Sequence, residues 1–241
     1  MVRNILITAG GTSEKIDEVR VISNFSSGRL GLTVANSFLE SNKIQIGKIY
    51  YLCDRNTIVP EDSRVEVVRV AGVSGLLDEL TRLLTTEKID AVIHAMAVSD
   101  YMVKQVTTVG AIRSGQEAAP LFSGGEGKIS SQIEDLAILL TRTPKVIGEI
   151  KKLDRNTILV GFKLLSNVEK PVLIDTALKL LHQNQCDMVL ANDLSDITED
   201  QHVGYLLKPD GNYDCYSTKK QIAQAIVEEV GTLLAEKEAE Q

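Results

Sequence analysis

The sequence predicts an α/β fold, a mostly parallel, doubly wound (Rossmann-like) sheet with helices on both faces. Three observations carry this expectation. Short apolar runs of strand length alternate with amphipathic runs of helical period through the first hundred residues and again from residue 136 onward. Repeated strand–helix units of this kind build a parallel sheet. Small, polar and glycine-containing segments directly follow several strands, and ligands sit beyond the carboxyl ends of strands in such sheets. At 241 residues the chain is read as a single domain, 1–241, with residues 102–127 as an irregular inserted arm.

The elements follow in order. Residues 3–8 form a buried strand. Residues 28–42 form a helix with Leu30, Val34, Ala35 and Phe38 on one side. Residues 48–53 and 65–70 are strands. Residues 74–85 are a helix capped by Ser74, and 91–95 a short apolar strand. The period is then lost from 102 to 127, a length that in a compact domain serves function or packs on a partner. Residues 136–142 resume as an apolar strand. Thr143-Pro144 reads as a helix start, Thr as N-cap and Pro in the first turn, for a helix running to Leu153. Strands over 158–163 and 188–191 flank a helix over 171–184. Pro209-Asp210-Gly211-Asn212 marks a hairpin between 203–207 and 213–217. The last helix covers 219–234, with a frayed acidic tail behind it. Ligand chemistry is therefore expected just after residues 8, 53, 95, 142, 163 and 191.

Composition narrows the function. A hydrophobic share of 44%, a charged share of 24% and a net charge of −7 describe a globular protein ill suited to non-specific nucleic-acid binding. Cys53, Cys186 and Cys215 lack metal-ligand spacing, and their odd number speaks against a disulfide framework. There is no apolar leader or membrane-length window, so a cytoplasmic location is expected.

Seven segments can carry chemistry. Thr8-Ala9-Gly10-Gly11-Thr12 follows the first strand; it reads equally as a tight turn and as a backbone cradle for phosphate. Asn24-Phe25-Ser26-Ser27-Gly28-Arg29 leads into a helix. Ser26 and Ser27 can cap that helix, and Asn24 offers an amide just outside it. His94-Ala95-Met96-Ala97-Val98-Ser99-Asp100 leaves room for a ring or ribose, with Asp100 as a hydroxyl or metal partner or a helix cap; His94 reads as a satisfied core residue. Gly127-Lys128-Ile129-Ser130-Ser131 places a lysine among small polar residues. Thr143-Pro144-Lys145 suggests a helix N-terminus facing an anion. Phe162 ends a strand, where it either stacks on a base or packs in the core. Ala191-Asn192-Asp193 is a turn or part of a ligand rim.

In this order, Asn24-Phe25-Ser26-Ser27-Gly28, Ala97-Val98-Ser99-Asp100-Tyr101, Lys128-Ile129-Ser130-Ser131, Gly161-Phe162-Lys163 and Ala191-Asn192-Asp193 resemble the phosphopantothenoylcysteine synthetases over nearly the whole chain. The resemblance implies a stand-alone ligase of coenzyme A synthesis, without the flavin-dependent decarboxylase domain that precedes it in many bacterial relatives. It would join 4′-phosphopantothenate to L-cysteine through an acyl-nucleotidyl intermediate, using CTP (or ATP) with Mg2+. It implies Asn24 and Lys128 as catalytic residues. It places nucleotide contacts at Gly10, Gly11, Thr12, Ser26, Ser27, Gly28, Ala95, Met96, Ala97, Asp100, Thr143, Pro144, Lys145 and Phe162, with no side-chain metal ligand assigned. It also implies a homodimer in which the 102–127 arm of one subunit completes its partner's site. Met96 stands where many relatives carry alanine. Lys163 and the Ser130-Ser131 pair are similar to the ATP-using eukaryotic form. A nicotinamide oxidoreductase would need G-x-G-x-x-G or Tyr-x-x-x-Lys; the glycines do not match, and Tyr101 is followed by Gln105. A non-catalytic nucleotide-binding module is the other alternative.

Overall fold

The computed structural model describes residues 1–114, 127–198 and 200–239. The elements in chain order are β1 (Arg3–Ala9), β2 (Ser13–Lys15), β3 (Val21–Ser23), α1 (Arg29–Glu40), β4 (Ile46–Cys53), β5 (Val65–Arg69), α2 (Gly72–Thr86), β6 (Ala91–His94), β7 (Tyr101–Thr108), α3 (Val109–Ser114), β8 (Leu136–Arg142), α4 (Ile147–Leu153), β9 (Ile158–Leu165), α5 (Lys170–Asn184), β10 (Met188–Asp193), β11 (Gly204–Leu207), β12 (Tyr213–Tyr216) and α6 (Lys219–Ala239). Eight strands form one sheet in the order β12-β11-β10-β9-β6-β1-β4-β5. The six from β5 to β10 pair in parallel, and β11 and β12 add an antiparallel edge. The expected Rossmann-like α/β class is therefore present.

Alternation along the strands creates two cores. Ile5 and Ile7 of β1 join Val34 and Phe38 of α1 and Ile222, Ile226 and Val230 of α6 on one face. Leu6 meets Leu76, Leu80 and Leu83 of α2, Ile150 of α4 and Leu181 of α5 in the cluster on the other. Each such fully buried aliphatic side chain contributes about 1.5–3 kcal/mol of transfer free energy.

Several expectations are corrected. The segment after Tyr101 is regular as far as Ser114. β7 pairs antiparallel with β8, and its alternation is broken by a register shift between Val103 and Gln105, which hid the strand. Residues 115–126 of the expected arm lie outside the described residues. β8 is a strand but not part of the main sheet, so residue 142 does not end a strand of that sheet. Leu136, Leu139 and Leu140 on it are exposed. Helix α2 starts at Gly72, ahead of Ser74. Its Val73 N–H donates to the Glu14 carboxylate at 2.7 Å, so the cap comes from a remote hairpin rather than from a local serine. The C-terminal tail stays helical to Ala239, because Glu238 pairs with the buried Arg3 guanidinium and Lys237 donates to the Asn156 carbonyl. Among the described residues no helix is long and apolar enough to cross a membrane.

His94 is a buried core residue, as expected. The Thr8 hydroxyl lies 2.9 Å from its Nδ1 and accepts the Met96 N–H at 3.2 Å. Burial lowers its pKa to about 4. The unfolded chain, with a histidine pKa near 6.5, therefore takes up a proton between pH 6.5 and pH 4 that the folded protein refuses. The stabilisation is complete above about pH 6.5 and is lost on acidification toward pH 4. Urea unfolding at pH 7 and pH 4.5 should show His94→Gln losing about 2 kcal/mol less than wild type between the two pH values. Equal losses would show that His94 does not drive this dependence.

Candidate functional site

Strand order reverses between β1 and β6, so the crevice beyond their carboxyl ends is where an open α/β sheet of this kind binds ligands. The pairing of these strands continues past their ends. Ala95 N–H donates to the Thr8 carbonyl at 3.1 Å, Ala97 N–H to the Gly10 carbonyl at 2.8 Å and Thr12 N–H to the Ala97 carbonyl at 3.1 Å. The Thr12 hydroxyl accepts the Ser99 N–H at 2.8 Å. Two expected segments are thereby zipped together, one after each strand.

A third joins them. β2 and β3 form a short antiparallel hairpin, Ser13 opposite Ser23, which returns the chain to the crevice. Asn24 N–H donates to the Thr12 carbonyl at 3.3 Å, and its Nδ2 donates to the Ala97 carbonyl at 3.2 Å. The carboxamide is thus fixed at the seam with a second N–H left to donate.

The glycines have a packing reason. A Cβ on Gly11 would stand 2.4 Å from the Asn24 carbonyl oxygen. Cβ atoms on Gly10 and Gly28 would strike the buried Thr57 side chain at 2.1 and 2.4 Å, and both glycines have positive φ. Thr57 sits in a loop held by Arg69, which donates to the Asp54 and Thr57 carbonyls at 2.6 and 3.1 Å. Sequence reasoning missed Thr57 and Arg69, because nothing local marks a side chain that fills the space over two distant glycines.

The serine caps are corrected. Gly28 is the N-cap of α1, without a side-chain cap bond. Ser27 reaches Arg29 N–H only at 3.4 Å, and Ser26 and Ser27 are both exposed. Phe25 is fully exposed. The Thr143 cap is corrected too. α4 begins at Ile147, and the Thr143 hydroxyl instead donates to the Ser99 carbonyl at 2.6 Å. Pro144 and Lys145 lie in the linker, where Lys145 forms an exposed ion pair with Asp100. Asp100 is therefore placed near the seam by its own neighbours rather than by a helix. Met96 is buried in the α2/α4/α5 core, while Ala95 and Ala97 are half-buried at the seam. Phe162 packs partly buried against the α1/α6 core, the packing alternative of its two readings. Asp193 is absorbed by structure, accepting from Asn167, Val168 and Ser195 N–H groups, and these bonds, with that of the Ser195 hydroxyl, hold its carboxyl well below the usual range.

Lys128 is exposed and is not hydrogen-bonded to Asn24. Its neighbour Ile129 docks at the far end of the hairpin. The Asp17 carboxylate accepts the Ile129 N–H at 3.1 Å and also the N–H groups of Val19 and Arg20 at 2.9 and 2.7 Å. Burial opposes charge on Asp17, but these donors and the Arg20 guanidinium outweigh it and leave the pKa lowered. The three residues of β2, Ser13–Lys15, separate Thr12 from Ile16, so the two expected catalytic residues attach on the order of 10 Å apart along one hairpin. Among the described residues no three His, Cys, Asp or Glu side chains group to hold a metal ion.

The sheet order and the zipped crevice define a Rossmann-like α/β domain. The family model of the DNA/pantothenate metabolism flavoprotein C-terminal domain matches residues 1–121 and 123–234, and the chain belongs to that family. The coenzyme A biosynthesis bifunctional protein CoaBC of Methanocaldococcus jannaschii is 28% identical over 95% of this chain and 51% of its own length. The chain thus spans about half the length of the curated relatives it matches. The DNA/pantothenate metabolism flavoprotein from Streptococcus pneumoniae has a solved structure that is 31% identical, with a TM-score of 0.84 over 96% of this chain and 99% of that one. A complex of the Cab2 mutant H337A with phosphopantothenate-cysteine, 16% identical, shares the fold with a TM-score of 0.74 over 98% of this chain and 89% of that one.

Gly11→Ala should destabilise the protein by about 1–3 kcal/mol in urea unfolding, since the new methyl must displace the Asn24 backbone. Gly75→Ala, inside α2 with its nearest neighbour at 4.0 Å, should gain about 0.5–1 kcal/mol. A neutral Gly11→Ala would contradict the close approach of Asn24.

Proposed function

We propose that this chain is a phosphopantothenate–cysteine ligase acting through an acyl-nucleotidyl intermediate, with CTP (or ATP) as the activating nucleotide. The observation that carries this reading is the Asn24 carboxamide, held on the Ala97 carbonyl at the sheet's switch point. Membership of the family and the CoaBC relatives support the substrate class.

A carboxylate does not condense with an amine in water, because oxide is a poor leaving group. In the proposed first step a carboxylate oxygen of 4′-phosphopantothenate attacks the nucleotide α-phosphorus, and pyrophosphate departs. Negative charge grows on the α-phosphate oxygens, where the Lys128 ammonium supplies the stabilising charge. Magnesium would screen the remaining phosphates. In the second step the cysteine amine attacks the acyl carbon, loses a proton to solvent and expels the nucleoside monophosphate. The free N–H of Asn24 donates to the carbonyl oxygen as it becomes an oxyanion, and its anchored partner N–H keeps the group aimed without reorganisation. The backbone of Gly10, Gly11, Thr12 and Gly28, together with Ser26, Ser27 and the Ala95-Met96-Ala97 turn, would border the nucleotide; Asp100, Thr143, Pro144 and Lys145 would complete its rim.

The family resemblance supports a site built by two copies. The exposed apolar side chains of the β7–β8 ribbon, Tyr101, Leu136, Leu139 and Leu140, offer the surface for that homodimer.

Pyrophosphate release is measured with phosphopantothenate and CTP or ATP, with and without cysteine. Asn24→Asp should lower turnover by about 10²–10³ and accumulate the acyl-nucleotide in the presence of cysteine, whereas Lys128→Ala should block its formation. Both variants stopping at the same species by mass spectrometry would overturn this division of roles. No pyrophosphate release by wild type with either nucleotide would overturn the ligase reading.

A further inference from the structure

We infer that Asp17 is a positioning residue for Lys128: its carboxylate fixes the Ile129 peptide and thereby sets where the neighbouring lysine stands. The inference rests on the reading of Lys128 as the activating cation.

The Asp17 side chain has no solvent exposure. A buried carboxylate persists only when its oxygens are fully engaged. Oδ1 accepts the N–H groups of Val19 and Arg20, and Oδ2 accepts from the Arg20 guanidinium at 2.5 Å and from Ile129 N–H at 3.1 Å. Three of these donors belong to the turn that Asp17 itself starts. The fourth comes from 112 residues further along the chain and is the peptide next to Lys128. The same Arg20 nitrogen reaches the Ile129 carbonyl at 3.4 Å, so the residue is addressed on both its N–H and its C=O.

The Ile129 side chain seats in a small separate core with Ile16 and Val106. Gly127, Lys128, Ser130 and Ser131 are exposed on either side. Ile129 is therefore the local anchor of this segment, and Lys128 projects from it. A turn needs only the three local bonds; the fourth serves the lysine segment. Holding the α-carbon leaves the lysine only its side-chain rotations to search, and a misplacement of about 1 Å in such a group costs about 10²-fold in rate.

The test uses the full chain. Asp17→Asn keeps the shape but removes the charge and replaces one acceptor with a donor. The kcat of pyrophosphate release should fall about 10–100-fold, while KM for nucleotide stays within about twofold. Hydrogen exchange at the Ile129 amide should quicken at least about tenfold while the β1 amides keep their protection. An unchanged kcat with a freely exchanging Ile129 amide overturns the proposal. If Asp17→Asn does not fold, Ile129→Pro removes the donor from the other side and leaves the turn's own bonds; an unchanged kcat there overturns it equally. Failure of the ligase reading is a separate outcome, wild type releasing no pyrophosphate. The exchange measurement still decides whether Asp17 anchors the segment.

Discussion

The organisation of the crevice depends on the backbone seam between the extensions of β1 and β6. Parallel strands usually part where the sheet ends, because each chain turns toward its own crossover helix. Here the pairing of Thr8 with His94 is prolonged through Ala95, Gly10, Ala97 and Thr12 by main-chain hydrogen bonds. The Thr8 and Thr12 hydroxyls capture the next two free N–H groups, those of Met96 and Ser99. The seam needs small residues, since a second layer of chain crosses directly over it. Gly11 lies under the Asn24 carbonyl, and Gly10 and Gly28 lie under Thr57. Close packing rather than backbone freedom alone thus explains why the segment after β1 departs from the usual dinucleotide fingerprint.

The β2–β3 hairpin distributes this order outward. It is only three residues per strand, too short to be stable alone. It is held because each part of it meets something distant: Glu14 caps α2, Ile16 and Asp17 receive Ile129, and Asn24 docks on Ala97. The contacts of Glu14, Asp17 and Asn24 are polar and buried or part-buried, so losing one partner strands the other without water. The hairpin therefore transmits position from the rigid sheet to two segments that carry no regular structure, one ending in Asn24 and one bearing Lys128.

Much of the sheet was legible in the residues because burial on both faces leaves unbroken apolar runs such as Ile5-Leu6-Ile7 and Ala91-Val92-Ile93. Helices with a clear apolar stripe were found within a few residues of their ends. The failures share a cause. Ser74, Ser26, Ser27 and Thr143 each have a residue type that caps helices, yet the groups that do the work are Glu14, Gly28 and a linker bonded to Ser99. Local composition shows which residues can cap, not which remote side chain arrives first. β7 escaped detection because its two faces are unequal and bulged, and β8 was assigned to the wrong sheet because its leucines are exposed. Asp17, Thr57 and Arg69 carried no motif. Asp17 alone had a local signal, an aspartate opening a turn, and that signal says nothing of Ile129.

Charge explains why the lysine segment is built as it is. On the proposed reading, a chain of net charge −7 that binds a nucleotide would have to supply positive potential locally. The seam itself offers neutral amides and carbonyls. Lys145 nearby is already paired with Asp100, so that pair adds little net charge to the rim. Placing a lysine within the sheet would bury an ammonium beside His94 and the aliphatic core, at a desolvation cost of several kcal/mol. On a separate segment Lys128 stays exposed, and its position must then be fixed by something other than the sheet. A buried carboxylate shared between a turn and that segment meets the requirement: Asp17 draws its own stability from the turn and extends one hydrogen bond to the peptide beside the cation.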